Sequence, residues 1–474
     1  MYLGIDLGTG SVKVMLLERD GSARTASKTY PVTAPVAGHA ESDPDHWVQA
    51  TVDALAELGD LSAVRGIGFS GQMHGVVLVT GRVGTPASPV GPAVLWADGR
   101  GAAVLDDFSA LPADSLKHLA NRPVAGMAGT TLVWMKRHTP TVLKQASTFL
   151  FPKDFVRSQL TGDRLSDHSD ASGSLLYDFA TRDWAWDTLQ RLDVPRSLMP
   201  QLALSTDRAG TVSAAGAARF GLPEGVPVAV GAGDTPAAMV GTGLTDPAVA
   251  QVSVGTAAQV ARAESAAEPV GSTPELNLFE GAHPDLRYRV AAMLNGGLAL
   301  EWVRDRLGFQ WAELYARLEA KDTADSPDLW FLPHLTGERT PYMNPEARGA
   351  WVGLGLHHTN DDLAHAALYG VACSVRLGLE TLERHGGPVR SVRLVGGSAR
   401  FPYWRRILST VFDRPLEVTE ERDGSARGAA LLGATVAGDT GPSPAAFDPD
   451  PSPPIPWKQE YYYRFKELYR AING

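Results

Sequence analysis

Two carboxylates stand in surroundings that do not suit a charge, Asp6 and Asp234. Asp6 interrupts the aliphatic run Tyr2-Leu3-Gly4-Ile5-Asp6-Leu7. Burying a lone carboxylate is costly unless it is paired, hydrogen-bonded or beside a cation. A magnesium ion carried by a nucleotide would supply that cation; an Asp that caps the turn after it is the alternative. Asp234 sits in Gly231-Ala232-Gly233-Asp234-Thr235. An acid there can serve as a proton acceptor or cap the helix that follows, and the residues alone leave both open.

A short phrase occurs twice. Gly4-Ile5-Asp6-Leu7-Gly8-Thr9-Gly10-Ser11-Val12-Lys13-Val14 is echoed by Gln251-Val252-Ser253-Val254-Gly255-Thr256-Ala257-Ala258-Gln259-Val260. Each reads as a strand, a Gly-Thr turn of small residues and a second strand. Such a hairpin aims backbone N–H groups and a hydroxyl at one point, which suits a phosphate. Two copies, half a chain apart, suggest two related lobes gripping one polyphosphate. The second copy lacks the acid of the first.

The elements that must hold these groups alternate between strand and helix, which favours an α/β fold. Strands are expected at Tyr2–Leu7, Val12–Glu18, Val64–Phe69, Ala93–Trp96 and Val226–Val230. A helix is expected after Asp43-Pro44, where an acidic cap and an early proline precede Val48, Val52 and Leu55. Another starts near Pro236. The second half repeats the theme, with strands at 250–262 and 287–294, helices at 297–307 and 360–386, a strand at Val389–Val395 and a helix at 401–412. Residues 101–225 read as a helical insertion. Ser70-Gly71-Gln72-Met73-His74-Gly75 and Ala97-Asp98-Gly99-Arg100 are polar loops at strand ends, where such folds place ligands. The proline-dense stretch 441–456 reads as a semi-rigid connector. In the terminal helix, Tyr461, Phe465, Leu468 and Ile472 share one face.

With 474 residues, two or three domains are expected. A net charge of −10 without a basic stripe argues against nucleic acid as a partner. The single cysteine, Cys373, excludes an intrachain disulfide and reads as helix core. No leader and no long apolar run is evident, so no membrane partner is expected and the cytoplasm is the default location.

Taken together the motifs resemble the FGGY family of carbohydrate kinases, nearest its members that act on xylulose. The resemblance rests on Gly4–Thr9, Gly71–Gly75, Leu95–Arg100, Pro152-Lys153-Asp154, Gly233-Asp234, Phe331-Leu332-Pro333, Gly337–Pro341 and Gly396-Gly397, and covers nearly the whole chain. It implies two ribonuclease-H-like lobes of the actin, hexokinase and Hsp70 ATPase type with a cleft between them, divided here as 1–243 and 244–474. It also implies ATP-dependent phosphorylation of D-xylulose, with ATP and Mg2+ as cofactors, and allows a homodimer.

By the same resemblance Asp234 is the general base, and Asp6 the second catalytic carboxylate and the magnesium ligand. Thr9, Gly10, Ser11, Gly255 and Thr256 bind phosphate, and Gly396 and Gly397 lie under the adenine. Gln72, Met73, His74 and Asp98 contact the sugar. A structural histidine at 74, a turn aspartate at 98 and core packing of Trp96 are the plainer alternatives. Thr235, Ala257 and Ala258 depart from the family's commoner Asn, Ser and Gly, which leaves room for another ketopentose or polyol (ribulose, arabinitol, glycerol). A nucleotide switch on the same fold, without sugar chemistry, is the reading from another class.

Overall fold

The doubled phrase folds twice into the same sheet. In the computed structural model, which describes residues 1–271, 273–320, 328–421, 423–452 and 455–474, the first copy makes strands β1 (Tyr2–Leu7) and β2 (Ser11–Leu17). β3 (Ala23–Thr29) adds to the hairpin. Helix α1 (Pro44–Glu57) follows, opened by the Asp43 carboxylate accepting from the Asp45 amide at 2.9 Å. β4 (Gly66–Gly71) runs parallel to β1. After helices α2 (Pro152–Thr161) and α3 (His168–Ser172), strands β5 (Arg208–Thr211) and β6 (Pro227–Ala229) complete the order β5-β6-β4-β1-β2-β3. The pair Ala232–Gly233 also joins β4, and helix α4 (Asp234–Thr242) leaves from it.

The second lobe repeats this. Strands β7 (Val249–Val254) and β8 (Ala258–Ser265) form the hairpin. β9 (Asn277–Glu280) and β10 (Leu286–Met293) extend it. Past helix α5 (Asn360–Gly386), β11 (Ser391–Val395) lies parallel to β7, and β12 (Leu416–Val418) follows. In each sheet an antiparallel hairpin is followed outward by parallel strands from later in the chain. The ribonuclease-H-like expectation is met twice.

Period-two burial builds each core. Leu3, Ile5, Leu7, Val12, Val14 and Leu16 turn inward against Trp47, Val48 and Leu55 of α1. Val252 and Val260 meet the α5 run that includes Cys373, which is buried as expected. Residues 101–225 are not purely helical. They hold a third core around Phe108, Phe149 and Trp184, with short strands at 148–150, 165–167, 177–178, 183–184, 201–203 and 208–211.

One element breaks the sequence order of the lobes. Helix α6 (Gly424–Val436) packs on the first lobe, against β1, β4 and α4. It comes so close because the facing residues are Gly and Ala: a Cβ on Gly68 would stand 1.9 Å from the Ala429 carbonyl oxygen, and one on Gly4 2.1 Å from that of Ala426. The late 441–456 stretch is partly ordered as strand, since Asp448–Pro449 pairs with β12; Pro453 and Pro454 lie outside the described residues. In the terminal helix α7 (Gln459–Asn473), Tyr461, Phe465 and Leu468 are buried, but Ile472 is 46% exposed. The expected stripe ends one turn early; Tyr462 and Tyr469 fill the face instead. Among the described residues no helix is long and apolar enough to cross a membrane.

Candidate active site

Three neighbouring chain segments reach one edge of the first sheet together. Asp6 is in register with Ser70 across β1 and β4, and Ser70 with Ala232. Asp6 therefore lies two strand spacings, about 10 Å, from the turn that carries Asp234. The Asp6 oxygens accept from two serines, Oδ1 from Ser70 and Oδ2 from Ser425, each at 2.6 Å. Burial raises the Asp6 carboxyl above its ordinary range; the two serine bonds and nearby Lys13 oppose that rise. Lys13 pairs with Asp423 at the start of α6.

Asp234 opens α4, but it is not the helix cap. Gly233 holds the N-cap position, without a side-chain bond to the helix. Asp234 turns Oδ1 to its neighbour, accepting from the Thr235 amide at 2.6 Å and from the Thr235 hydroxyl at 3.3 Å. Burial, and then the charge of Asp6, push its carboxyl up to about 6. Such a group is ionised near neutral pH yet basic enough to take a proton. A glycine must precede it, because a Cβ on Gly233 would meet the Met73 side chain at 2.7 Å.

His74 is held in a left-handed backbone conformation, φ +70°, which an L-residue with a branched ring adopts at a cost of about 1 kcal/mol or more. The strain aims its ring. Nδ1 donates to the Gly173 carbonyl at 2.9 Å, so Nε2 is left as an acceptor. Burial pushes its pKa down to about 4, which keeps the imidazole neutral at physiological pH. Met73 packs across the cleft on Tyr288 of β10, whose hydroxyl donates to its sulfur at 3.6 Å.

Asp234, His74 and Met73 line one cavity of about 240 Å³ between the lobes, and Asp6 lies outside its lining. Thr9, Met73, His74 and Asp234 enter it from the first lobe, Gln259 and Arg339 from the second. Trp96 is not in the core. It is 46% exposed at the cavity, and its indole N–H donates to the Thr9 hydroxyl at 2.9 Å.

Other expected site residues stand elsewhere. Asp98 is buried away from the cavity, with Oδ1 accepting from Arg100 Nε at 2.8 Å and Oδ2 from the Ala40 amide at 2.7 Å. Those bonds outweigh burial and hold its carboxyl below the usual range, so it orders the 98–100 turn and has no oxygen free for a sugar. Gln72 is buried behind the loop, with no partner for either amide atom among the described residues. Gly255 and Thr256 are buttressed by the helix over 297–307, through Gly297 and Leu298 amides that donate to their carbonyls at 2.6 and 2.9 Å. Gly396, at φ +83°, turns beside Ser253 at the base of that hairpin, and Gly397 begins the next turn of helix. This group lies outside the cavity, on the second lobe's side of the cleft.

The sequence reading missed what the second lobe brings to the cavity. Gln259 lies in β8 just past the turn of the second hairpin, at an exposed position on the cavity. Arg339 gave no signal beyond its motif. Its amide is fixed by Glu338 at 2.8 Å, and its neighbour Thr340 donates to the Ala292 carbonyl at 3.0 Å.

Asp6 and Asp234 are hard oxygen donors of the kind that suits a divalent cation. Both are raised by burial and the charge of Asp6 raises Asp234 further, so two buried acids stand where positive charge would favour their ionised forms. The cluster Asp328, His357 and His358 does not fit one. His358 Nδ1 accepts from the Gly355 amide at 2.8 Å, so Nε2 carries the proton and gives it to Asp328 at 2.9 Å.

The model of the FGGY N-terminal domain of carbohydrate kinases matches residues 1–241, and that of the FGGY C-terminal domain matches residues 250–437. The chain is 36% identical to the xylulose kinase of Escherichia coli (strain K12) over 440 residues, 91% of this chain and 89% of that one. It is 34% identical to the xylulose kinase of Klebsiella pneumoniae, over 95% and 93% of the two chains. Among solved structures, the xylulose kinase from Rhodospirillum rubrum superposes with a TM-score of 0.85 at 27% identity, covering 99% of this chain and 97% of that one.

Proposed function

The chain belongs to the FGGY family of carbohydrate kinases, and we propose that it transfers the γ-phosphoryl group of ATP to D-xylulose, giving D-xylulose 5-phosphate and ADP. The observation that carries this reading is the shared cavity, in which a carboxylate of pKa about 6 and a neutral imidazole face one small space.

The sugar lies against Met73 and His74. His74 Nε2 accepts from one sugar hydroxyl, a selective contact because the ring is neutral and its other nitrogen is committed. Asp234 Oδ2, which has no protein partner among the described residues, takes the proton of the hydroxyl that attacks the γ-phosphorus. The new O–P bond forms as the bond to the β-phosphate oxygen breaks in line, and that oxygen leaves with ADP. The proton leaves Asp234 to solvent when the product departs. Thr9, Gly10 and Ser11 hold the phosphates from the first lobe, Gly255 and Thr256 from the second. Gly396 and Gly397 leave room for the adenine. Asp6, with Asp234 near it, would hold Mg2+, which neutralises phosphate charge when bound. Closure of the lobes on the sugar excludes water as a rival acceptor.

The test is ADP release with Mg-ATP across D-xylulose, D-ribulose, L-ribulose, L-xylulose, D-arabinitol, glycerol and no sugar. A strong preference for D-xylulose, with a pentulose phosphate product, is the expected result. A rate equal to the no-sugar control for every acceptor would overturn it. Asp234→Asn is expected to keep nucleotide binding and lose about 10²–10⁴-fold in turnover.

A further inference from the structure

The mechanism does not use the charged cluster at the Pro152-Lys153-Asp154 start of α2. Lys153 is fully buried, and its Nζ lies 2.6 Å from Asp154, 2.8 Å from Asp167 and 2.9 Å from Asp170. Arg157, also buried, joins Asp154 at 2.6 Å and Asp163 at 2.7 Å. Well-packed apolar residues usually stabilise a core as much as a buried ion cluster does, so stability alone is a weak account of it.

Its position supplies a better one. Asp167 and Asp170 bracket the start of the one-turn helix α3, and Asp167 caps it by accepting from the Ser169 amide at 2.8 Å. Two bonds run from that turn to the active site. Ser169 Oγ accepts from the Gly233 amide at 3.0 Å, one residue before Asp234. The Gly173 carbonyl, just past the helix, accepts from His74 Nδ1 at 2.9 Å. A third bond reaches the other lobe, where the Glu280 amide donates to Ser172 Oγ at 3.0 Å. Asp170 itself lies against the Asp234 turn, since a Cβ on Gly233 would come 3.4 Å from its Oδ1.

We infer that Lys153 is a positioning residue: by drawing Asp167 and Asp170 together it fixes the helical turn that sets both the Asp234 carboxylate and the His74 ring. The inference rests on the phosphotransfer reading, in which those two groups address one acceptor. Their mutual placement then governs the rate, because a misplacement of about 1 Å costs on the order of 10²-fold.

The test compares Lys153→Met, Asp170→Asn and Ser169→Ala with the unaltered full chain. Folded Lys153→Met is expected to lose about 100-fold in kcat with the KM for ATP unchanged. Backbone amide exchange over 231–235 should speed up in the same variant, while β7 and β8 stay protected. Ser169→Ala is expected to lose about tenfold in kcat and to cause no further loss when added to Asp234→Asn. Folded Lys153→Met with unaltered kcat and unaltered exchange would overturn the inference. So would a Ser169→Ala loss that adds in full to that of Asp234→Asn, which marks a merely structural role. Should Lys153→Met not fold, Ser169→Ala and Asp170→Asn decide, and wild-type kcat and exchange in both would overturn it. The unaltered chain on the sugar panel tests the phosphotransfer reading separately, and the exchange readout needs no substrate.

Discussion

The Ser425 hydroxyl donates a 2.6 Å hydrogen bond to Asp6 Oδ2, joining residues 419 positions apart. The bond favours the ionised carboxylate against the burial that opposes it. Ser425→Ala removes that support, so Asp6 protonates at higher pH. A hydrogen bond to a charged group contributes about 1.5–3 kcal/mol. The acid limb of kcat/KM for Mg-ATP is expected to move upward, read from rates between pH 5 and 8.

Asp234 carries both a pH profile and a stability cost. Turnover is expected to rise as pH passes through about 6, where the base ionises, with no further limb from His74 above pH 5 because that ring is already neutral. The stability effect has the opposite sign. A carboxyl raised on folding favours the protonated folded form, so its stability contribution is complete at low pH and is lost as pH rises through about 6. Asp234→Asn is therefore expected to stabilise the fold by up to about 3 kcal/mol at pH 8 and by almost nothing at pH 3. Thermal unfolding at the two pH values checks it.

Arg339 lines the cavity, and its guanidinium has no hydrogen-bond or ion-pair partner among the described residues. Burial pulls its pKa down, which marks a cation held where water is scarce. Arg339→Ala is expected to raise the KM for the sugar about 10–100-fold, the cost of one charge-assisted hydrogen bond. The KM for ATP should move less, as initial-rate kinetics in both substrates would show.

Gly68→Ala is expected to cost about 3 kcal/mol or more. The added Cβ would stand 1.9 Å from the Ala429 carbonyl oxygen, and both partners are backbone. Gly10→Ala is the control, since nothing stands within 4 Å of a Cβ there. Thermal melts should separate the two, with Gly10→Ala near the unaltered chain.

Local chemistry made much of this protein legible from the chain. Alternating aliphatics around Gly-Thr turns specify a hairpin wherever they occur, so both hairpins, the Asp43 cap and the long α5 helix were readable in place. Asp6 and Asp234 stood out because a carboxylate in an apolar strand or a glycine turn is expensive without a purpose, although the residues alone left that purpose open. Met73 and His74 stand in a strand-end loop that the sequence marked for a ligand, but only the family resemblance singled them out. The same reading placed Asp98 at the sugar, because an aspartate before Gly99 looks identical whether it faces a ligand or Arg100.

Tertiary structure decided the rest. Only packing brings α6 back onto the first lobe, placing Ser425 on Asp6 and Asp423 on Lys13. Only the packing of the two lobes brings Gln259 and Arg339 to the cavity that Met73 and His74 enter from the other side. The Lys153 cluster becomes a support for the active site only once α3 lies between Gly233 and His74. Residue type and spacing dictate strands, turns and caps because those depend on neighbours along the chain. Hydrogen bonds and burial across 100 to 400 residues depend on which surfaces meet, and no local pattern records that.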